Sequence, residues 1–207
     1  MTETRAERHR RHLAVMRGWL TGSTYYKAAE ALELVCQLEK GKLRKDGETP
    51  SFHHQLSVAR LVATLGPHLS YAEETITTAF LHDVLEDHFN QVAVNDLDRR
   101  FGPLVRSAVR RLTKKGPGWT LDPDFYFEAI GSDPIASVVK LADRVHNLHT
   151  MTGAFNKEKQ LRYAADFDMW FHPMLKRARR LHPSQFQAYE NLKITLTSQV
   201  KLVREMS

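Results

Sequence analysis

Apolar residues recur along this chain at three- and four-residue intervals, and no sustained alternation of apolar and polar positions replaces them. The eight prolines, at Pro50, Pro67, Pro103, Pro117, Pro123, Pro134, Pro173 and Pro183, fall almost wholly between the periodic stretches. The pattern predicts an all-α protein with helices over 5–20, 25–39, 52–65, 71–86, 103–113, 123–130, 134–151, 157–181 and 183–206. Asp122 before Pro123 and Asp133 before Pro134 each pair a capping carboxylate with a proline at the first helical position. Gly102 before Pro103 is a weaker version of the same signal. The polar, glycine-containing segments 41–50 and 114–120 read as loops beside a site.

There is no internal repeat, low-complexity tract or long linker, so the expected organisation is one compact helical bundle. Within it we expect a helical extension over 1–40 packed on a core over 41–181, with a last helix over 182–207. A length of 207 residues with 42% hydrophobic content suits one domain with a sizeable core. No apolar run reaches eighteen residues, and residues 1–17 are rich in Arg and His, so a cytoplasmic protein without a membrane span is expected. Cys36 is the single cysteine, which excludes an internal disulfide and any multi-thiolate metal site and leaves helix packing as its expected role. A net charge of +6 and a pI near 9.5 favour an anionic partner: nucleic acid, a nucleotide or an acidic protein.

The candidate chemistry begins at "AFLHDVLED", residues 79–87, where two pairs of ionisable residues interrupt an apolar stretch. On a continuous helix Glu86 would stack one turn above His82, and Asp87 above Asp83. His82 and Asp83 offer a nitrogen and an oxygen, a mixed set suited to manganese, iron, cobalt or zinc. His54 in "FHHQLSVA" and Asp143 in "VVKLADRVHNL" would complete a two-His, two-Asp group with room for water. A divalent ion acidifies its water, and a nearby carboxylate such as Glu86 or Asp87 could orient or deprotonate it. Lys140, Asp143 and Asn147 share one helical face. Against these readings, "HDVLED" could be a solvated helix end and the Lys140, Asp143, Asn147 stripe a buried salt bridge with a capping amide.

In their order these motifs resemble the HD superfamily of metal-dependent phosphohydrolases, most closely the hydrolase domain of RelA/SpoT-type alarmone enzymes, over roughly residues 42–181. The family pattern opens with a basic, glycine-containing loop and a ligand histidine shortly before Val-Ala, here "RKDGETPSFHHQLSVA". Alignment on Val58 and Ala59 selects His54, with His53 as its fallback and Gln55 where the family usually has proline. The second motif matches Phe80 to Asp87, the following region matches Phe101, Gly102, Val105, Val109, Thr113 and Lys114, and the third matches Lys140 to Leu148.

The resemblance implies an HD-domain helical bundle with an ion, usually manganese, on His54, His82, Asp83 and Asp143. It implies hydrolysis of the 3′-pyrophosphate of guanosine tetra- or pentaphosphate, with Glu86 and Asp87 handling the attacking water. Arg44, Lys45, Lys140, Arg144 and Asn147 would surround the nucleotide, Arg44 near the base and Asn147 near the sugar. With no stretch for a synthetase domain, the chain looks like a small, stand-alone alarmone hydrolase.

A second reading keeps the enzyme but changes its substrate to an adenosine alarmone or a pyrophosphorylated tRNA 3′ end, as an antitoxin to a small alarmone synthetase. A third is a non-catalytic neutralising partner of such a synthetase, and a fourth a nucleic-acid-binding protein using Arg8, Arg10, Arg11 and the "KRARR" run at 176–180. Trp19, Tyr25 and Tyr26 read as core or interface anchors, and these terminal regions could tune substrate choice or oligomerisation.

Overall fold

The structure, a computed structural model, describes residues 5–44, 47–151 and 155–206. Its helices are α1 (Arg5–Gly22), α2 (Tyr26–Leu38), α3 (His53–Thr64), α4 (Ala72–Leu81), α5 (Val84–Asp87), α6 (Val94–Phe101) and α7 (Pro103–Leu112). A two-stranded hairpin, β1 (Lys115–Gly116) and β2 (Trp119–Thr120), follows. Then come α8 (Pro123–Gly131), α9 (Pro134–Thr150), α10 (Lys157–Asp166), α11 (His172–Leu181) and α12 (Phe186–Glu205). The protein is an all-α bundle, as its apolar periodicity requires, with the small hairpin as an addition. No helix among the described residues is long and apolar enough to cross a membrane.

Helix α9 is the axis of the bundle. Ile135, Ala136, Val138, Val139, Leu141, Ala142, Val145 and Leu148 bury it on most sides, and α3, α4, α7, α8, α11 and α12 all pack on it. Its start is fixed by Asp133, whose Oδ1 accepts from the N–H groups of Ile135 at 2.9 Å and Ala136 at 2.8 Å, with Pro134 pre-set for the first turn. That register turns Lys140, Asp143 and Asn147 toward α3 and the end of α4.

The expected helix over 71–86 is broken. It stops at Leu81, His82 and Asp83 form a turn, and α5 is a separate short piece. The reason is local: His82 Nδ1 donates to the carbonyl of Ala79 at 2.8 Å, an oxygen that a continuing helix would use for the N–H of residue 83. The four-residue stacking expected across this stretch therefore does not apply.

The expected helix over 157–181 is also divided, by a wide π turn over Phe167–Phe171 ahead of Pro173. Proline lacks the N–H that the preceding turn would receive, and the wider turn absorbs that loss. Segment 114–120 is a hairpin whose Pro117-Gly118 turn has Gly118 at φ +77°, a backbone that suits glycine. Helix α6 was not expected, although Val94, Leu97 and Phe101 carry the helical spacing and Asp96 accepts from the N–H of Ala93.

Replacing the α9 cap, Asp133→Ala, should cost about 1 kcal/mol and lower the melting temperature by roughly 2–4 °C. Thermal unfolding followed by circular dichroism checks this, and an unchanged melting temperature would mean that Pro134 and packing set the start of α9 unaided.

Candidate metal centre

Three elements converge on one point at the middle of the bundle. The first turn of α3 brings His54, the turn after α4 brings His82 and Asp83, and α9 brings Asp143. His54 Nε2 lies 3.2 Å from Asp143 Oδ1, 3.2 Å from His82 Nε2 and 3.9 Å from Asp83 Oδ2. His82 Nε2 lies 3.0 Å from Asp83 Oδ2 and 3.9 Å from Asp143 Oδ1. Ligand atoms bound to one ion at about 2.1 Å stand about 3.0–3.4 Å apart, so a single divalent ion fits this spacing. His54, His82 and Asp143 alone form a group that could hold a metal ion, with donor atoms all within 4.8 Å of one another. Asp83 adds an oxygen from the rim. Two imidazole nitrogens and two carboxylate oxygens, with no thiolate, suit manganese, iron, cobalt or zinc.

The quartet opens on one side. The side chains of His54, His82 and Asp143 are 9%, 3% and 11% exposed, whereas that of Asp83 is 37% exposed, so a ligand from solvent must arrive past Asp83.

Neighbouring groups orient three of the four side chains. The bond from His82 Nδ1 to Ala79 leaves Nε2 facing the quartet. His54 Nδ1 lies 2.8 Å from Nδ1 of His146. For His54 to offer a lone pair at Nε2, its hydrogen must sit on Nδ1 and be donated to a neutral His146. Burial, followed by His54 and Arg44, pushes the His146 pKa down to about 3, so His146 stays neutral as that arrangement requires. Asp143 accepts from Asn147 Nδ2 at 2.6 Å and from Lys140 Nζ at 3.3 Å. Lys140 also lies over the ring of Tyr126, whose hydroxyl donates to the Leu112 carbonyl at 2.8 Å.

The electrostatics are those of a cation site. Burial works against ionised Asp143, yet Lys140 and the two imidazoles hold its carboxyl well below the usual range. Burial likewise opposes an imidazolium at His82, but Asp83 and Asp143 outweigh it and raise the pKa to about 9.

The other residues singled out in the sequence are distributed around this group. Glu86 accepts from the backbone N–H groups of Lys114 and Lys115, which ties the acidic turn to the hairpin. Asp87 is exposed on the open side, and lost hydration, followed by the carboxylates of Asp83 and Glu39, raises its proton affinity. Arg44 lies in the loop before α3 and acts electrostatically on His53 and His146. Lys45 lies outside the described residues. Arg144 sits between the rings of Tyr163 and Phe171, 4.4 and 4.1 Å from their centroids, and pairs with Asp166 at 3.5 Å. His53 turns away from the quartet, its ring 4.1 Å from that of His9 on α1.

Sequence reasoning did not single out His146, Tyr126 or the buried pair Glu39 and His88. His146, three residues after Asp143, carried a findable signal in its helical spacing, whereas the others meet only through tertiary contacts.

Comparison with known proteins agrees with this architecture. A family model described as "HD domain" matches residues 31–116. A Streptomyces coelicolor protein named GTP pyrophosphokinase is 30% identical over 167 residues, covering 75% of this chain and 18% of that protein. A Synechocystis protein named probable guanosine-3′,5′-bis(diphosphate) 3′-pyrophosphohydrolase is 34% identical over 142 residues, covering 65% of this chain and 18% of that protein. The matched region thus spans about a fifth of these relatives. A solved metazoan orthologue of SpoT, described as hydrolysing ppGpp, superposes with a TM-score of 0.58 at 22% identity, over 80% of this chain and 94% of that one, so the fold is shared.

Removing the support behind His54, His146→Ala, should weaken binding of a divalent ion about 10- to 100-fold while the protein stays folded. Isothermal titration calorimetry reads this directly, and an unchanged affinity would show that His146 does not orient His54.

Proposed function

We propose, from the premise that the chain carries an HD-superfamily domain of the ppGpp-hydrolase type, that it removes the 3′-pyrophosphate of guanosine tetra- or pentaphosphate. The observation that carries this reading is the two-His, two-Asp quartet, open on the Asp83 side, with Asp87 lining a small cavity next to Asp83.

His54, His82, Asp83 and Asp143 would hold the ion, for which manganese is the expected occupant. A divalent ion held there supplies acidity to water and positive charge to phosphoryl oxygens. Asp87, with its raised proton affinity, is the better placed of the two acids to accept a proton from the attacking water. Glu86 contributes negative charge and alignment, its own position fixed by the hairpin amides. Water attacks the phosphorus bonded to the 3′ oxygen, the bond between that phosphorus and the 3′ oxygen breaks, pyrophosphate leaves, and the 3′ oxygen takes up a proton to become a hydroxyl.

Lys140 and Asn147 act first on Asp143, holding its carboxylate toward the quartet, and in this proposal they would also border the nucleotide. Arg44 and Lys45 belong in this proposal to the loop that would meet the base and phosphates. Arg144, clamped between two rings, would shape the wall behind them.

The manganese-loaded protein, incubated with guanosine tetraphosphate, its adenosine counterpart and pyrophosphorylated tRNA, should turn over the guanosine compound fastest, and Asp83→Ala should abolish turnover. Preference for either other compound would reassign the substrate while keeping the chemistry, and equal activity of wild type and Asp83→Ala would sink the metal-dependent mechanism. Glu86→Gln keeps an oxygen for the hairpin amides but loses its charge, so it should retain manganese while kcat falls about a hundredfold. Loss of manganese in Glu86→Gln would refute that division of roles.

A further inference from the structure

Helix α5, which carries Glu86 and Asp87, is four residues long and begins at a break, so its own hydrogen bonds cannot hold it still. Something outside it must fix Asp87 relative to the quartet. The residue after Asp87 is His88, whose ring is 3% exposed and whose Nε2 bonds Glu39 Oε1. Glu39 is itself 5% exposed and caps the C-terminus of α2. Lys42 Nζ lies 3.5 Å from the same carboxylate oxygen and 3.3 Å from the same ring nitrogen. Gln91 Nε2 approaches the opposite ring nitrogen at 3.4 Å.

This buried network borders the candidate centre. A cavity of about 10 Å³ is lined by Glu39 and His88 together with Asp83, Asp87 and Gln55. It has room for about one water. Gln55 is 7% exposed, and its buried Oε1 takes no hydrogen bond from the protein. The same network anchors two elements: the acidic turn, through His88, and the root of the loop leading to α3, through Glu39 and Lys42.

We propose that Glu39 and His88 form a positioning pair for Asp87, clamping the end of α5 to the end of α2 so that the Asp87 carboxylate stays on the open side of the quartet. Neither residue touches substrate. The role rests on the hydrolytic reading above, and it predicts an effect on the chemical step without an effect on the ion.

The test uses the full chain loaded with manganese, comparing Glu39→Ala, His88→Ala and Glu39→Gln with wild type on guanosine tetraphosphate. Both alanine variants should lose about ten- to a hundredfold in kcat, with KM and manganese affinity within about twofold of wild type. Glu39→Gln, which keeps an acceptor for the His88 ring, should recover most of that loss. Hydrogen exchange gives an independent readout: the amides of Asp87, His88 and Val92 should exchange about tenfold faster in Glu39→Ala, with those of α9 unchanged.

Wild-type kcat in a folded Glu39→Ala, a loss confined to KM, or unchanged exchange at Asp87 and His88 would overturn the proposal. If Glu39→Ala fails to fold, His88→Ala and Glu39→Gln carry the comparison. If wild type hydrolyses none of the nucleotides tested, the functional reading falls, and the exchange measurement still decides whether the pair holds the turn.

Discussion

The candidate centre depends on one buried anion, the carboxylate of Asp143, set into a helix that is buried on most sides. A charge in such surroundings is costly unless it is surrounded by donors and cations. Lys140 and Asn147 satisfy it from within α9, and His54 and His82 face it from α3 and the turn after α4. With both imidazoles neutral, as ligation of an ion would require, the two carboxylates and one ammonium would leave a net negative charge in a space the size of one ion. A divalent cation reverses that sign, which would turn the interior of the bundle into a site attractive to phosphate.

The break at His82 and Asp83 follows from the same requirement. A straight helix through this region would leave His82 Nδ1 competing with the backbone for the Ala79 carbonyl. By winning that oxygen, the imidazole aims Nε2 at Asp143 and ends α4, which leaves the following acids on a short turn with little rigidity of its own. Tertiary contacts supply what the helix lost, Glu86 reaching the hairpin and His88 reaching α2. Order at the donors is thus obtained at the expense of local regularity next to them.

How much of this could be read from the sequence follows the range of each interaction. Helix starts at Pro123 and Pro134 were legible because Asp122 and Asp133 act on amides two and three residues away. The candidate donors His82, Asp83 and Asp143 stand out in the sequence because adjacency in "HDVLED" and spacing in "KLADRVHNL" constrain them locally. The choice between His53 and His54 came from the resemblance, and the structure turns His54 Nε2 toward Asp143 while His53 meets α1. What stayed hidden was set across the fold. The helix break needed knowledge of a side-chain bond to Ala79, and the Glu39 to His88 contact joins residues 49 positions apart. The hairpin shows only in its Pro117-Gly118 turn, since strands of two residues have no period to read.

Helix α12 carries no donor, yet it has a bearing on when the centre can exist. Its buried Tyr189, Leu192, Leu196 and Val200 close the far side of α9, Tyr189 meets Ser137 at 2.8 Å, and Gln185, just before it, donates to the Pro134 carbonyl at 3.0 Å. Residues 186–205 are synthesised after every donor, so a nascent chain can hold His54, His82, Asp83 and Asp143 while α9 still lacks one of its walls. With α12 unformed, the far side of α9 is open, so full order at the candidate centre waits on a helix that contributes nothing to it.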